Sequence, residues 1–273
     1  MNKPFRVAHL LKSIGVRVLG PRFVRRMQIW WHGQKFDEID IVLQYFSDRN
    51  CRSAVMVDVG AHFGSSLGRF ASDGWKVHAF EPDDYNRRVL EIRHGHRSNL
   101  IINNLAASDS TGGVAEFFTS EVSTGISGLK AFDGSHSASQ KVSLIRLDDY
   151  CRDAGINQID FLKIDTEGHD LIVLNGIDLS QIPADVILCE FEDRKTSQRG
   201  YDRFDLARHL TERGYHIVIS EWFPIQTYGG NHRWRAFRDS MEQTASDSWG
   251  NIIAFKRQFP KEIVRSYGDR FSS

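Results

Sequence analysis

Apolar residues along this chain fall into short β-branched runs separated by stretches with an apolar residue every third or fourth position. The runs at Ala54–Val59, Trp75–Phe80, Leu100–Ala107, Val114–Phe118, Val142–Leu147, Ile159–Ile164, Ile182–Leu188, Tyr215–Ser220 and Asn251–Phe255 read as strands. Between them the period lengthens to that of helices: Asp37 to Asn50, from Ser66 onward, Asp83 or Asp84 to Arg93, Leu147 to Gly155, Asp170 to Gly176 and Leu206 to Arg213. Gly176 reads as the C-cap of its helix. Strands alternating with helices predict an α/β fold with a mostly parallel sheet and helices on both faces.

The first strand ends in Asp58, followed by Gly60, His62 and Gly64 before a helix begins. A glycine-bearing turn between strand and helix lets backbone approach a ligand and offers free N–H donors. Asp58 at the strand tip would repel a pyrophosphate and attract an ammonium group. The turn is Asp-x-Gly-x-x-x-Gly and lacks the G-x-G-x-x-G phosphate cradle, which counts against a nicotinamide-dependent oxidoreductase. The second strand ends in Glu81-Pro82, and an acid at that place suits ribose hydroxyls. The implied ligand carries both a ribose and an amino group.

A second acidic strand tip follows Ile159–Ile164: Asp165, Glu167, His169 and Asp170 lie within six positions. In a doubly wound sheet this strand sits beside the Asp58 strand, so the cluster faces the same ligand. His169, by its ordinary pKa, is the candidate general base, with Asp165 as rival or as orienting group. Glu167 and Asp170 at a helix start also suit the helix dipole with no further role. A divalent metal in this cluster is admitted but not favoured, because no paired ligand spacing selects one. His94 and His96 lack a third ligand nearby and read as loop residues.

The 273 residues carry 35 basic and 35 acidic side chains, so net charge offers no support for a nucleic-acid partner. Cys51, Cys151 and Cys189 are an odd, scattered set with no metal-like spacing, which points to a reducing compartment, and no apolar run reaches the roughly 18 residues of a membrane span. Together with the absence of a signal-peptide pattern at the N-terminus, these features predict a cytoplasmic protein. Charge is nevertheless uneven: eight Lys and Arg precede the first acid, Asp37, interleaved with apolar residues. Residues 1–50 therefore read as a basic helical cap on a main domain of residues 51–273, with peripheral membrane contact as the alternative use of the same pattern. Ser123 to Ser139, rich in Gly and Ser, reads as a loop and a candidate lid. Residues 222–249 form an insert in which Trp222, Tyr228, His232, Arg233, Trp234 and Arg235 combine flat rings with guanidinium forks. Such a surface suits a small-molecule or glycan acceptor, or equally an interface between copies of the chain.

The ordered motifs DVGAHFG, FEP, AASD, LDDY, FLKIDTEGHD with LNG, and CE, spread from Ala54 to Glu192, resemble the FkbM-type S-adenosylmethionine-dependent methyltransferases. His62 departs from the family's usual Asn. The resemblance implies a Rossmann-like methyltransferase sandwich of seven strands, the last pair antiparallel. It implies S-adenosylmethionine as cofactor, held by Asp58, Gly60, His62, Gly64 and Glu81, with Ala107, Ser108 and Asp109 beside the adenine. It also implies O-methylation of a sugar hydroxyl, with Glu190 in contact with that acceptor. A non-catalytic module docked through the basic segment and the aromatic insert is the alternative.

Overall fold

In a computed structural model, residues 36–47, 53–228, 230, 232–257 and 259–271 are described. Most of the basic cap expected in residues 1–50, and Cys51 with it, lies outside these residues. The first described helix, α1 (Ile39–Phe46), buries Ile41, Val42 and Phe46 and leads to β1 (Val55–Val59). Then follow α2 (Leu67–Ser72), β2 (Lys76–Phe80), α3 (Asp84–His94) and β3 (Leu100–Asn103). The Asp83 side chain caps α3 by accepting a hydrogen bond from the Asn86 N–H.

The apolar run from Leu100 to Ala107, expected to form the third strand and its exit, is cut at Asn103-Asn104. Asn103 donates its side-chain amide to the Ala79 carbonyl, 3.1 Å away, and the chain leaves the sheet there. Its continuation, β4 (Leu105–Ser108), joins β5 (Val114–Ser120) and β6 (His136–Arg146) in a separate three-stranded sheet ordered β4-β6-β5. The segment between β5 and β6 holds a short 3₁₀ turn, Thr124–Ile126, and is pinned to β5 by paired bonds between Phe118 and Gly128.

After α4 (Leu147–Ala154) come β7 (Ile159–Ile164), α5 (Asp170–Asn175), β8 (Ala184–Phe191), α6 (Asp193–Thr196) and α7 (Arg203–Thr211). The chain ends with β9 (His216–Trp222), β10 (Trp234–Arg238), β11 (Trp249–Phe255) and α8 (Lys261–Asp269). The main sheet is eight-stranded in the order β10-β9-β11-β8-β7-β1-β2-β3. It exceeds the expected seven strands because the insert contributes β10 at the edge. β11 runs antiparallel to both β8 and β9.

Both faces of the sheet are covered, which explains the nearly continuous apolar strands. Val57, Leu162, Ile187 and Ile252 point to one core with α4, α5 and α7. Met56, Phe161, Val186 and Ile253, each one residue away, point to the other with α1, α2 and α8. β1 lies between β2 and β7, so the strand order reverses there and a crevice opens beyond the carboxyl ends of β1 and β7. Among the described residues no helix is long and apolar enough to cross a membrane.

Candidate active site

The crevice holds a cleft lined by Val59, Phe80, Leu105 and Phe117 with Glu81, Asp165 and Glu167 among them. Its floor is the turn after β1. The Gly60 and Ala61 N–H groups both donate to the Phe80 carbonyl, 3.0 Å away, tying the turn to the end of β2. His62 lies in the left-handed region (φ 49°), its N–H donating to Glu81 Oε2 at 2.6 Å and its Nε2 2.9 Å from Thr124 Oγ1. Glu81 Oε1 accepts from the Asp83 N–H at 2.9 Å. Burial pushes the Glu81 carboxyl up to about 8, against the pull of these two donors. Gly60, His62 and Glu81 all line the cleft.

Two residues expected to hold the cofactor stand behind the turn. Asp58 is fully buried with Lys163 Nζ 3.4 Å from its Oδ1, and burial raises its carboxyl above the usual range. The ammonium it faces is therefore the protein's own, because Asp58 alternates along β1 with Val59, which lines the cleft, and so points to the other face of the sheet. Gly64 packs against Leu90 and His94 rather than the cleft. At the end of β4, Ala106 and Ala107 line the cleft. Ser108 is buried just beyond them, and Asp109 is exposed outside.

His169 lines the cleft, with both ring nitrogens engaged. Arg199 donates to Nδ1 at 2.8 Å, which leaves Nε2 carrying the proton and donating to Ser108 Oγ at 3.1 Å. Burial and the Arg199 charge push its pKa down to about 3. The expectation of His169 as general base is corrected on this ground: a neutral ring already committed at both nitrogens orients its neighbours instead. Asp165 lines the cleft with its side chain 43% exposed and Lys163 Nζ 3.2 Å from Oδ2. What burial it has would raise its carboxyl, but Lys163 and Lys195 outweigh this and hold it below the usual range. Asp170 is fully buried and structural: it accepts from Thr166 Oγ1 (2.9 Å) and from the Glu190 N–H (3.0 Å), joining β7's exit to β8.

Beside Asp165 lies a cluster that the motifs did not announce. The Lys195 ammonium on α6 meets Glu167 Oε2 at 2.6 Å, Glu190 Oε2 at 2.8 Å and Glu192 Oε2 at 2.9 Å. Carboxylate oxygens of Asp165, Glu167 and Glu190 come within 4.8 Å of one another, a spacing that would suit a cation. Lys195 already supplies that charge, so the donor set is that of an ammonium centre. Glu190, expected to touch the acceptor, is 7% exposed and committed to Lys195. Tyr228 reaches the same cluster, donating its hydroxyl to Glu192 Oε1 at 2.9 Å.

The segment expected to be a lid lies over this site. Thr124, Gly125, Ser127, Gly128 and Leu129 line the cleft. Its far end is fastened to the α6 region by Asp133 to Arg194 (3.2 Å), by Lys130 to the Gln198 carbonyl, and by the Phe132 ring against Tyr228.

The rest of the aromatic insert is elsewhere. β10 pairs with β9 at the sheet edge, three strands beyond β7's neighbour β8. There Trp222 donates its indole N–H to Glu38 Oε1 (2.9 Å), and Trp234 stacks on Phe36 (4.4 Å) and donates to Ser220 Oγ (3.2 Å). Arg235 pairs with buried Glu221 (3.4 Å), Arg233 covers Phe223 (3.9 Å) and His232 meets Trp249 edge-on. Of the six insert residues expected to bind the acceptor, Tyr228 is hydrogen-bonded to the carboxylate cluster beside the cleft and His232 lies near enough to feel the charges of Glu192 and Lys195, whereas Trp222, Arg233, Trp234 and Arg235 pack at the edge.

Gly60 is required by the close approach of the Asp165 backbone, and the cleft lies where the ends of β1, β2, β4 and β7 converge. No curated protein matches the sequence. Similar solved structures include magnesium protoporphyrin IX methyltransferase from Synechocystis PCC 6803 with bound SAH (11% identity, 89% of this chain and 99% of that one, TM-score 0.44). Others are an rRNA methylase from Streptococcus thermophilus (11%, 81% and 95%, TM-score 0.44) and precorrin-6y C5,15-methyltransferase from Geobacter metallireducens GS-15 (14%, 80% and 88%, TM-score 0.40). These likenesses are remote, whereas the Methyltransferase FkbM domain matches residues 58–217, from the tip of β1 into β9. The chain belongs to the FkbM methyltransferase family and is an S-adenosylmethionine-dependent methyltransferase.

Proposed function

We propose that this methyltransferase acts on a hydroxyl group of a sugar or glycoconjugate. The observation that carries the reading is the carboxyl-rich wall of the cleft: Asp165 and Glu167 line it, with Glu190 and Glu192 just behind. Carboxylates suit an acceptor rich in hydroxyl donors and repel the phosphates of a nucleic acid.

S-adenosylmethionine supplies an electrophilic methyl group on a sulfonium centre. In this reading the Glu81 carboxyl would hold the ribose hydroxyls of the donor, Ala107 would stand beside its base, and the Gly60–His62 turn would shape the floor beneath them. Asp165, kept ionised by Lys163, offers a negative charge to the donor's cationic end. His169 fixes Ser108, at the end of β4, against α5. The Thr124–Leu129 segment excludes water from the reacting groups, and alignment of acceptor and methyl group supplies much of the rate.

The test is calorimetric titration with S-adenosylmethionine and S-adenosylhomocysteine, with NAD as control, followed by a screen of methyl glycosides for S-adenosylhomocysteine release. Binding of both adenosyl compounds with turnover on a glycoside is expected. Adenosyl binding with methylation of an amine or a nucleic acid but of no hydroxyl would refute the acceptor assignment.

A further inference from the structure

Glu167 sits in the left-handed region (φ 57°), where a residue with a β-carbon is strained, and is followed by Gly168, also left-handed (φ 83°). Strain of this kind persists only where the surroundings enforce it, and it clusters at functional sites. Here the turn sets the Glu167 carboxyl into the wall of the cleft while Lys195 Nζ grips its Oε2 at 2.6 Å. The groups facing it come from three elements. They are Asp165 from the exit of β7, Glu190 from β8, Glu192 from the start of α6, and Lys195 within α6. Tyr228 of the insert binds Glu192 from outside, and the overlying Gly128 brings no charge. Three glutamates thus share one ammonium in a nearly buried place that only Glu167 borders on the cleft side. Fully ionised, the cluster would hold surplus buried negative charge, so its favourable state binds a proton among the carboxyls.

We propose that Glu167 is the catalytic base that takes the proton of the acceptor hydroxyl, with Lys195 as the positioning residue that holds it; the proposal rests on the hydroxyl-acceptor reading above. In the step, the hydroxyl oxygen forms its bond to the methyl carbon as the carbon–sulfur bond breaks and its electron pair leaves with sulfur. The hydroxyl proton passes to the Glu167 carboxylate, and from there to water when the products leave. The competing groups are less suited: His169 is committed at both nitrogens, and Asp165 is held ionised by Lys163. Burial raises the Glu167 carboxyl to about 7 even against Lys195, close to the value at which a general base is most effective.

The test uses the full chain with carboxyl-¹³C-labelled glutamate and bound S-adenosylhomocysteine, titrated by NMR. A glutamate resonance with a midpoint near 7 is expected in the wild type, absent from Glu167→Gln and displaced upward in Lys195→Met; Lys195→Arg replaces Lys195→Met if the latter fails to fold by circular dichroism. On methyl glycosides, Glu167→Gln is expected to lose roughly 10²- to 10⁴-fold in turnover with S-adenosylhomocysteine affinity within about threefold of wild type. The proposal is overturned if that resonance is missing from the wild type or survives in Glu167→Gln, or if the variant turns over at the wild-type rate. The two readings fail separately: a wild type that binds S-adenosylhomocysteine, shows the resonance and methylates no glycoside refutes the sugar acceptor while the titration stands.

Discussion

A β-carbon on Gly60 would lie 1.9 Å from the carbonyl oxygen of Asp165. The bare glycine is what lets the carboxyl ends of β1 and β7 close, with the Asp165 N–H donating to the Val59 carbonyl at 3.0 Å. Its φ of 78° adds a second requirement for glycine. Gly60→Ala must therefore part the two strand tips that frame the cleft. It is expected to cost at least about 3 kcal/mol in urea unfolding and to weaken S-adenosylhomocysteine binding at least tenfold by calorimetry. Wild-type affinity in this variant would show that the turn does not hold the donor.

His62 stands where the family usually has Asn, and the backbone explains why either serves. At φ 49° a side chain must tolerate the left-handed region, which Asn and His do more readily than β-branched residues. His62→Asn is expected to leave stability within about 0.5 kcal/mol and S-adenosylhomocysteine affinity within about threefold. His62→Val should cost about 1–2 kcal/mol in thermal unfolding. Equal stability of the two variants would contradict the strain argument.

Glu81 makes donor binding pH-dependent in a definite direction. Its carboxyl, raised by burial to about 8 from an ordinary 4.5, is protonated at pH 7 in the free protein. Ribose hydroxyls favour the ionised form, so binding S-adenosylhomocysteine should release a proton, and affinity should rise by up to tenfold per pH unit from about pH 6 to 8. Calorimetry in buffers of different ionisation enthalpy counts that proton. In Glu81→Gln it should vanish together with the pH slope. Stability has the opposite slope: the folded protein binds a proton that the unfolded chain has lost, so this group's contribution is full below pH 4.5 and disappears as pH rises through 8.

What could be read from sequence and what could not divides along physical lines. The tips of β1, β2 and β7 were legible because buried apolar runs end there in Asp58, Glu81 and Asp165, and parallel strands place such ends on one side of a sheet. β10 was not, because each of its five residues is half-buried and gives no alternation to detect. The break at Asn103-Asn104 was visible as two polar residues inside an apolar run, and its weight was missed. Gly176 was recognised at a helix end for a reason that does not apply, since its φ is −86°; a β-carbon there would meet the Ser108 carbonyl at 2.1 Å, so close approach demands the glycine. The role of His169 depends on Arg199, thirty residues away, and that of Glu167 on Lys195, within a helix of four residues. Such pairings are made by tertiary folding and leave no periodic trace.

Trp234 tests whether the aromatic face at the sheet edge serves the acceptor or the fold. Its ring stacks on Phe36 at 4.4 Å and meets Phe237 edge-on at 5.1 Å, and its indole N–H reaches Ser220 Oγ, which in turn donates to buried Glu38. These contacts join α1's lead-in to β9 and β10, and none reaches the residues that line the cleft. Because the ring is only half-buried, Trp234→Ala should cost about 1–3 kcal/mol in urea unfolding, below the range for a fully enclosed tryptophan. S-adenosylhomocysteine affinity and turnover on any active glycoside should stay within about twofold of wild type. A tenfold rise in acceptor KM in a variant that remains folded would return this face to the acceptor. Unchanged kinetics with lowered stability would assign Trp234 to the fold and leave the site's contacts with the insert to Tyr228, bonded to Glu192, and its neighbour His232.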